Sequence, residues 1–197
     1  MPVLERLRSD HAPALLAFER ENRGYFAASV PDRGDDYFAD FERRHRALLD
    51  EQESGAILFH VLVGEDGEIL GRFNLVDVDP ADSSAELGYR VAEKAAGRGL
   101  ATAGVREVCR LAVEVYGLRT LRAATTLDNA GSRAVLGRVG FGAVGSVTLD
   151  GRPGTAYELD LGTVFDPAPP GGLRAVVSSY APGLGGSFGR ERSGTES

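Results

Sequence analysis

Glu86-Leu87-Gly88-Tyr89-Arg90-Val91-Ala92-Glu93-Lys94-Ala95-Ala96-Gly97-Arg98-Gly99-Leu100-Ala101-Thr102 is the stretch on which the reading of this chain turns. It reads as a strand, a Gly-rich turn and the opening of a long helix. Gly97 and Gly99 stand just before an amphipathic run. With no side chains there, backbone N–H groups can come close to a ligand. The helix start adds further unpaired N–H groups and the positive end of its dipole. That combination binds anions, most often a phosphate.

Three kinds of Gly-rich turn meet this description. A Walker-type loop requires Gly-x-x-x-x-Gly-Lys followed by Ser or Thr, and the chain has none. A dinucleotide fingerprint counted from Gly97 requires Gly or Ala where Thr102 stands, and it belongs near the first strand of its domain rather than mid-chain. The third pattern is a basic or amide residue, two residues, Gly, one residue, then Gly or Ala. Lys94-Ala95-Ala96-Gly97-Arg98-Gly99 resembles it. This is the pyrophosphate loop of the GNAT acyltransferases, which bind acetyl-coenzyme A. Lys94 departs from the Gln or Arg usual at that place.

The flanks make the resemblance specific. Glu86-Leu87-Gly88-Tyr89 resembles the entry to the loop in the ribosomal-protein N-acetyltransferases (the RimJ/RimL-like branch). So does Leu127-Asp128-Asn129-Ala130-Gly131-Ser132-Arg133-Ala134-Val135-Leu136-Gly137-Arg138-Val139-Gly140-Phe141, where Asn-x-x-Ser, Val-Leu and Gly-Phe mark the last helix and the strand after it. The resemblance covers residues 1–162. It implies an α/β (α+β) GNAT fold: a mixed, mostly antiparallel sheet of about seven strands, splayed at the cofactor site and flanked by about four helices.

Composition is ordinary for a soluble globular protein. A chain of 197 residues with 43% hydrophobic and 26% charged residues suits one domain with a substantial core. No apolar run approaches the ~20 residues of a membrane span, and Met1 to Asp10 lacks the apolar segment of a signal peptide. A net charge of −7 argues against general nucleic-acid binding and suits, weakly, a cationic acceptor such as an amine. The one cysteine, Cys109, excludes an internal disulfide and reads as a buried thiol. No metal-ligand cluster stands out, and His11, His45 and His60 read as surface or packing residues. The expectation is a cytoplasmic monomer or homodimer with neither nucleic acid nor membrane as partner.

Element by element, Ser9 or Asp10 can cap a helix through Arg23, with Pro13 in its opening turn and Tyr25-Phe26 in the loop after it. A second helix spans Asp36 to Glu53. Leu58–Val63 and Leu70–Val78 read as a hairpin, Ser84–Ala92 as the next strand, and Leu100–Tyr116 as a helix ended by Gly117. Thr120–Thr126 closes a strand–helix–strand crossover. A short helix capped by Asp128 or Asn129 runs to Val139. Ala143–Leu149 and Thr155–Leu161 make a last hairpin. Residues 163–197, rich in Gly, Pro and Ser, read as a mostly flexible tail in which Leu173 to Tyr180 could dock as one extra strand.

The site follows from the resemblance. The backbone of Gly97, Arg98, Gly99, Leu100, Ala101 and Thr102 would anchor the pyrophosphate of acetyl-CoA. Tyr89, Arg90 and Val91, on the splayed strand, would pair with pantetheine and offer an N–H to the thioester oxygen. Asn129 would hydrogen-bond the pantetheine arm, serve as a helix N-cap, or do both. Ser132 would protonate the departing thiolate, although Ser is also common in a first helical turn. Glu86 is the candidate base, because a carboxylate in a central strand is costly to bury without a role; a salt bridge to an arginine would also account for it. In an undistorted strand Glu86, Gly88 and Arg90 share one face and Leu87 and Tyr89 the other. Tyr25 and Phe26 stand where the family lines its acceptor pocket, or are simple core. The implied activity is acetyl transfer to a protein N-terminal α-amine or a small-molecule amine. The alternatives are a non-catalytic acyl-CoA sensor and, more remotely, a nucleotide-binding protein.

Overall fold

The computed structural model describes residues 1–164 and the backbone of 174–176. In chain order the elements are β1 (Val3–Arg6), α1 (Ala12–Glu21), α2 (Arg23–Ala27), α3 (Asp35–Ala39), α4 (Phe41–Ser54), β2 (Leu58–Val63), β3 (Ile69–Asp79) and β4 (Ser84–Val91). They continue with α5 (Leu100–Glu114), β5 (Thr120–Thr126), α6 (Ala130–Val139), β6 (Gly142–Leu149), β7 (Arg152–Asp160), α7 (Leu161–Val164) and β8 (Arg174–Val176). The strands form one sheet in the order β6-β7-β5-β4-β3-β2-β1-β8. Among the described residues no helix is long and apolar enough to cross a membrane.

One irregularity in this sheet positions the site. β4 and β5 run parallel but pair only at Ser84–Thr120, Ala85–Leu121 and Glu86–Arg122. Beyond Glu86 the two strands separate. β4 stays laddered to β3 as far as Val91–Gly71, and β5 stays laddered to β7 as far as Thr126–Gly154. The facing edges of Leu87–Val91 and Ala123–Thr126 therefore border a gap in the middle of the sheet.

The core lies against α5 on one face of this sheet and against α1 on the other. α5 presses so closely on β3 that a Cβ at Gly104 would lie only 2.2–2.8 Å from ring carbons of Phe73. Phe59, Phe73, Leu75, Val105, Val108 and Leu121 are sealed from solvent. Cys109 is among them, a free thiol that burial pushes up to about 12.

Local chemistry explains several departures from the linear reading. α1 begins at Ala12 because Asp10 pairs with Arg8 instead of capping, and Ser9–His11 form a 3₁₀ turn. It stops at Asn22, whose amide donates to the Phe18 carbonyl (2.9 Å) and accepts from the Glu93 N–H (2.9 Å). Tyr25 and Phe26 consequently lie in a helix, α2, and not in a loop. The helix read as Asp36 to Glu53 is broken at Asp40 into α3 and α4. The last hairpin turns on Asp150 and Gly151 alone, both at positive φ (49° and 78°), as a two-residue turn requires. That shifts Pro153 into β7, opposite Thr148.

The sequence alone does not announce β1. Four residues carry too little pattern, and the edge of β2 supplies the partner, with Val3–Arg6 opposite Val63–His60. Outside β1, Arg174–Val176 adds a parallel strand, so the sheet has eight strands among the described residues and draws on residues beyond Gly162. The rest of the Gly/Pro/Ser-rich segment, and so the expectation of a flexible tail there, falls outside the described residues.

Candidate active site

The Gly-rich turn has the backbone its sequence demands. Gly97 and Gly99 sit at φ +71° and +77°, and a Cβ at either would meet nothing within 4 Å on the protein side. Gly99 is the N-cap of α5 and leaves the first helical N–H groups without intrahelical acceptors. These groups open into a cavity of about 630 Å³ lined in part by Val91, Gly97, Gly99, Ala101 and Thr102. Arg98 and Leu100 are in the turn but not on the cavity wall. Lys94, next to the turn, is held away from it by Glu68.

A second cavity of about 500 Å³ fills the gap between β4 and β5, with Leu87–Arg90 on one side and Ala123–Thr126 on the other. The two cavities share Ser29, Val30, Tyr89, Arg90, Asn129 and Ser132. Their junction carries two hydroxyls: the Tyr89 phenol lies 3.0 Å from Ser132 Oγ. Burial raises the Tyr89 pKa above its usual range, partly opposed by the bond to Ser132, so the phenol stays protonated through neutral pH. The helix that presents Ser132 is capped by Asn129, whose Oδ1 accepts from the Ser132 N–H (3.0 Å). Asn129 is thus an N-cap and a cavity wall at once.

The predicted residues do not all converge. Tyr25 and Phe26 line the turn-side cavity instead of the one in the sheet gap. Glu86 lines neither. It occupies the last paired position before the strands part, and it is exposed. The argument from burial therefore does not apply to it. Among the described residues Asp150 is the one carboxylate on the wall of the sheet-gap cavity, brought there by the β6–β7 turn. The sequence signal for it was only an Asp-Gly turn. The sequence points to Tyr89 for its backbone, and the structure adds its side chain to the junction.

A family profile described as the Acetyltransferase (GNAT) domain matches residues 3–142. The chain belongs to the GNAT acetyltransferase family. YdaF of Bacillus subtilis (strain 168), provisionally named a ribosomal N-acetyltransferase, is 30% identical over 127 residues, covering 62% of this chain and 65% of that relative, so the chain spans slightly under two thirds of YdaF's length. RimJ of Mycobacterium smegmatis, solved in complex with CoA-disulfide, superposes with a TM-score of 0.72 at 26% identity over 80% of both chains. The ribosomal-protein-S5-alanine acetyltransferase of Vibrio fischeri shares the fold, with a TM-score of 0.76 at 17% identity over 83% of this chain and 94% of that one. These relatives place the chain on the RimJ/RimL-like side of the family.

In this GNAT domain the α1 side of the sheet also holds an ionic cluster. Glu19, only 2% exposed, faces Arg72 Nη1 at 3.0 Å, Arg90 Nη1 at 3.5 Å and Arg33 Nε at 3.9 Å. Burial, the leading cause, brings Arg72 down to about 10, and Arg33 and Arg90 lower it further while Glu19 opposes. Burial and then Arg33 lower Arg90 in the same way. No cluster of His, Cys, Asp and Glu suited to a metal ion occurs among the described residues.

Proposed function

We propose that this protein is an acetyl-CoA-dependent N-acetyltransferase that acts by direct transfer to an α-amine, either a protein N-terminus or a small molecule. One observation carries the reading. The anion-binding turn and the gap in the sheet open into cavities that meet at Tyr89 and Ser132.

The residues present fit acetyl-CoA. Two positive-φ glycines leave the N-terminus of α5 uncovered, and a strand edge without a partner runs from it towards the junction. The N–H groups of Gly97 to Thr102 would hold the pyrophosphate, with Arg138 on the same cavity wall and free of any ion pair among the described residues. The backbone of Tyr89 to Val91 would hold the pantetheine arm, and Asn129 would lie along it. When bound, acetyl-CoA supplies the activated acetyl group.

The remaining work falls to the protein's own groups. The free strand edge of β4 offers an N–H to the carbonyl oxygen as it gains charge. Ser132 Oγ, hydrogen-bonded to the Tyr89 phenol, would donate a proton to the leaving sulfur, and solvent in the open cavities would return a proton to the hydroxyl pair. The base need not be strong. An α-amine has a pKa near ~7.7–8.0, so an appreciable fraction is already neutral at physiological pH, whereas a lysine-type amine near ~10.4 would need far more help. Asp150, exposed at the cavity rim, can take the proton directly or through water. Its position makes it a better candidate than Glu86.

A non-catalytic acyl-CoA sensor would need the turn but not a hydroxyl pair at the junction. Native mass spectrometry should show bound coenzyme A. A screen of acetyl transfer to N-terminal peptides and small amines should then show turnover with at least one α-amine. Cofactor binding with no transfer to any acceptor would establish the sensor instead.

A further inference from the structure

The cluster around Glu19 has a charge imbalance that nothing in the transfer chemistry uses. Three guanidinium groups share one carboxylate, and all three lie within 4 Å of it. Arg72 and Arg90 stand directly opposite each other on neighbouring strands, where like charges repel. Both are largely sequestered, with side chains 9% and 18% exposed. Asp32 and Asp35, which flank Arg33 in the sequence, both pair with Arg23 at the surface, and Asp35 is 91% exposed, where solvent screens it. A purely structural cluster would balance its buried charges, because each uncompensated one costs several kcal/mol.

The geometry also leaves edges free. Phe59 lies under Arg72 (5.4 Å) and Phe26 under Arg90 (5.3 Å), so rings hold the guanidinium faces without neutralising them. Arg72 Nε is buried with no hydrogen-bond partner among the described residues. Asn74 Oδ1, two residues along the same face of β3, is likewise buried and unpaired. Arg72, Asn74 and Arg90 all line the sheet-gap cavity, the one left for an acceptor if the cofactor's pyrophosphate takes the turn-side cavity. Gly88, opposite Asn74, puts no side chain in the way.

We propose that the acceptor carries an anionic group, a carboxylate or a phosphate close to its amine, which docks on Arg72 and Arg90 in the sheet-gap cavity. This rests on the acetyltransferase reading above and narrows its substrate class. The docked anion restores the missing negative charge, separates the two opposed arginines and offers an acceptor to the orphaned Arg72 Nε, as planar guanidinium groups favour. The amine of the same molecule then lies towards Tyr89 and Ser132. The net charge of the whole chain, which by itself suits a cationic acceptor, is overruled here by the local charge of the cavity.

The test uses the full chain with three matched peptides, Ala-Asp, Ala-Asn and Ala-Lys at the N-terminus. A phosphoserine peptide and free glutamate are added to separate phosphate from carboxylate and peptide from small molecule. Two quantities are read: kcat/KM for acetyl transfer, and binding of fluorescently labelled peptides in the presence of coenzyme A. The Asp peptide should exceed the Asn peptide about ten- to a hundredfold in both, as expected for one or two hydrogen bonds to a charged group. The margin should shrink as salt rises. Arg90→Gln should remove the preference, and Arg72→Gln should do so too if that buried variant folds. Equal use of Asp and Asn, a preference for Lys, or a preference that survives in Arg90→Gln would overturn the proposal. Absence of transfer to every acceptor would refute the acetyltransferase reading, and the binding measurement would still show whether the cavity selects anions.

Discussion

Replacing Gly99 by valine should separate what the turn costs the fold from what it gives the ligand. Gly99 sits at φ +77° with open space where a Cβ would go, so the substitution meets no clash and the penalty is backbone strain alone. For a β-branched residue at positive φ that strain is about 1–3 kcal/mol. In a domain of this size it should lower the melting temperature by about 2–12 °C. Gly67, in the β2–β3 turn, has the same φ of +77° and the same open surroundings, but lies away from both cavities. Gly67→Val should therefore lose similar stability. Only Gly99→Val should lose affinity for acetyl-CoA, by at least about tenfold, because its side chain projects to where backbone N–H groups must approach the pyrophosphate. Calorimetric titration well below both melting transitions reads the affinities. Wild-type affinity in a folded Gly99→Val protein, or an equal loss in Gly67→Val, would remove the turn from the cofactor site.

Three further outcomes are expected. Ser132→Ala should reduce kcat about 10²–10⁴-fold with little change in acetyl-CoA affinity, and Tyr89→Phe should do so to a smaller extent, since in the proposed reaction both would act as the thiolate leaves; single-turnover kinetics with titration checks this, and full turnover in Ser132→Ala would assign the proton to water. His60, 1% exposed and held at about 4 by burial, is neutral in the fold but protonates near 6.5 once unfolded. The unfolded state then binds the extra proton, so stability is full above about pH 6.5 and falls by about 3 kcal/mol on acidification to about pH 4, which urea titrations across that window should show and His60→Leu should flatten. Gly104→Ala should destabilise by about 1–3 kcal/mol despite alanine's better helix propensity, because its Cβ would strike the Phe73 ring; a denaturation midpoint at or above wild type would refute the tight α5–β3 contact.

The parts of this protein that were legible in its sequence are those that depend on neighbours along the chain. Gly97 and Gly99 announce a positive-φ turn, and they adopt it. Asn129, three residues before Ser132, announces an N-cap and makes that bond. The long amphipathic run before Gly117 and the flanking strands follow from periods of 3.6 and 2. Boundaries failed where one distant partner decided the matter, as at Asn22, which ends α1 through its bond to Glu93, and at β1, a strand only because the edge of β2 awaits it.

The candidate site divides along the same line. Motif and local conformation located the turn, the N-cap and Ser132. Only the tertiary structure decided which carboxylate faces the cavity, because that depends on where β4 and β5 part. They part after Glu86, leaving it exposed, while a turn more than sixty residues later delivers Asp150. The charge of the sheet-gap cavity was equally hidden. Glu19, Arg33, Arg72 and Arg90 lie on α1, in a loop and on two strands, and each alone reads as an ordinary surface charge. Coulomb energy depends on separation in space and on burial, and neither quantity is written along the chain.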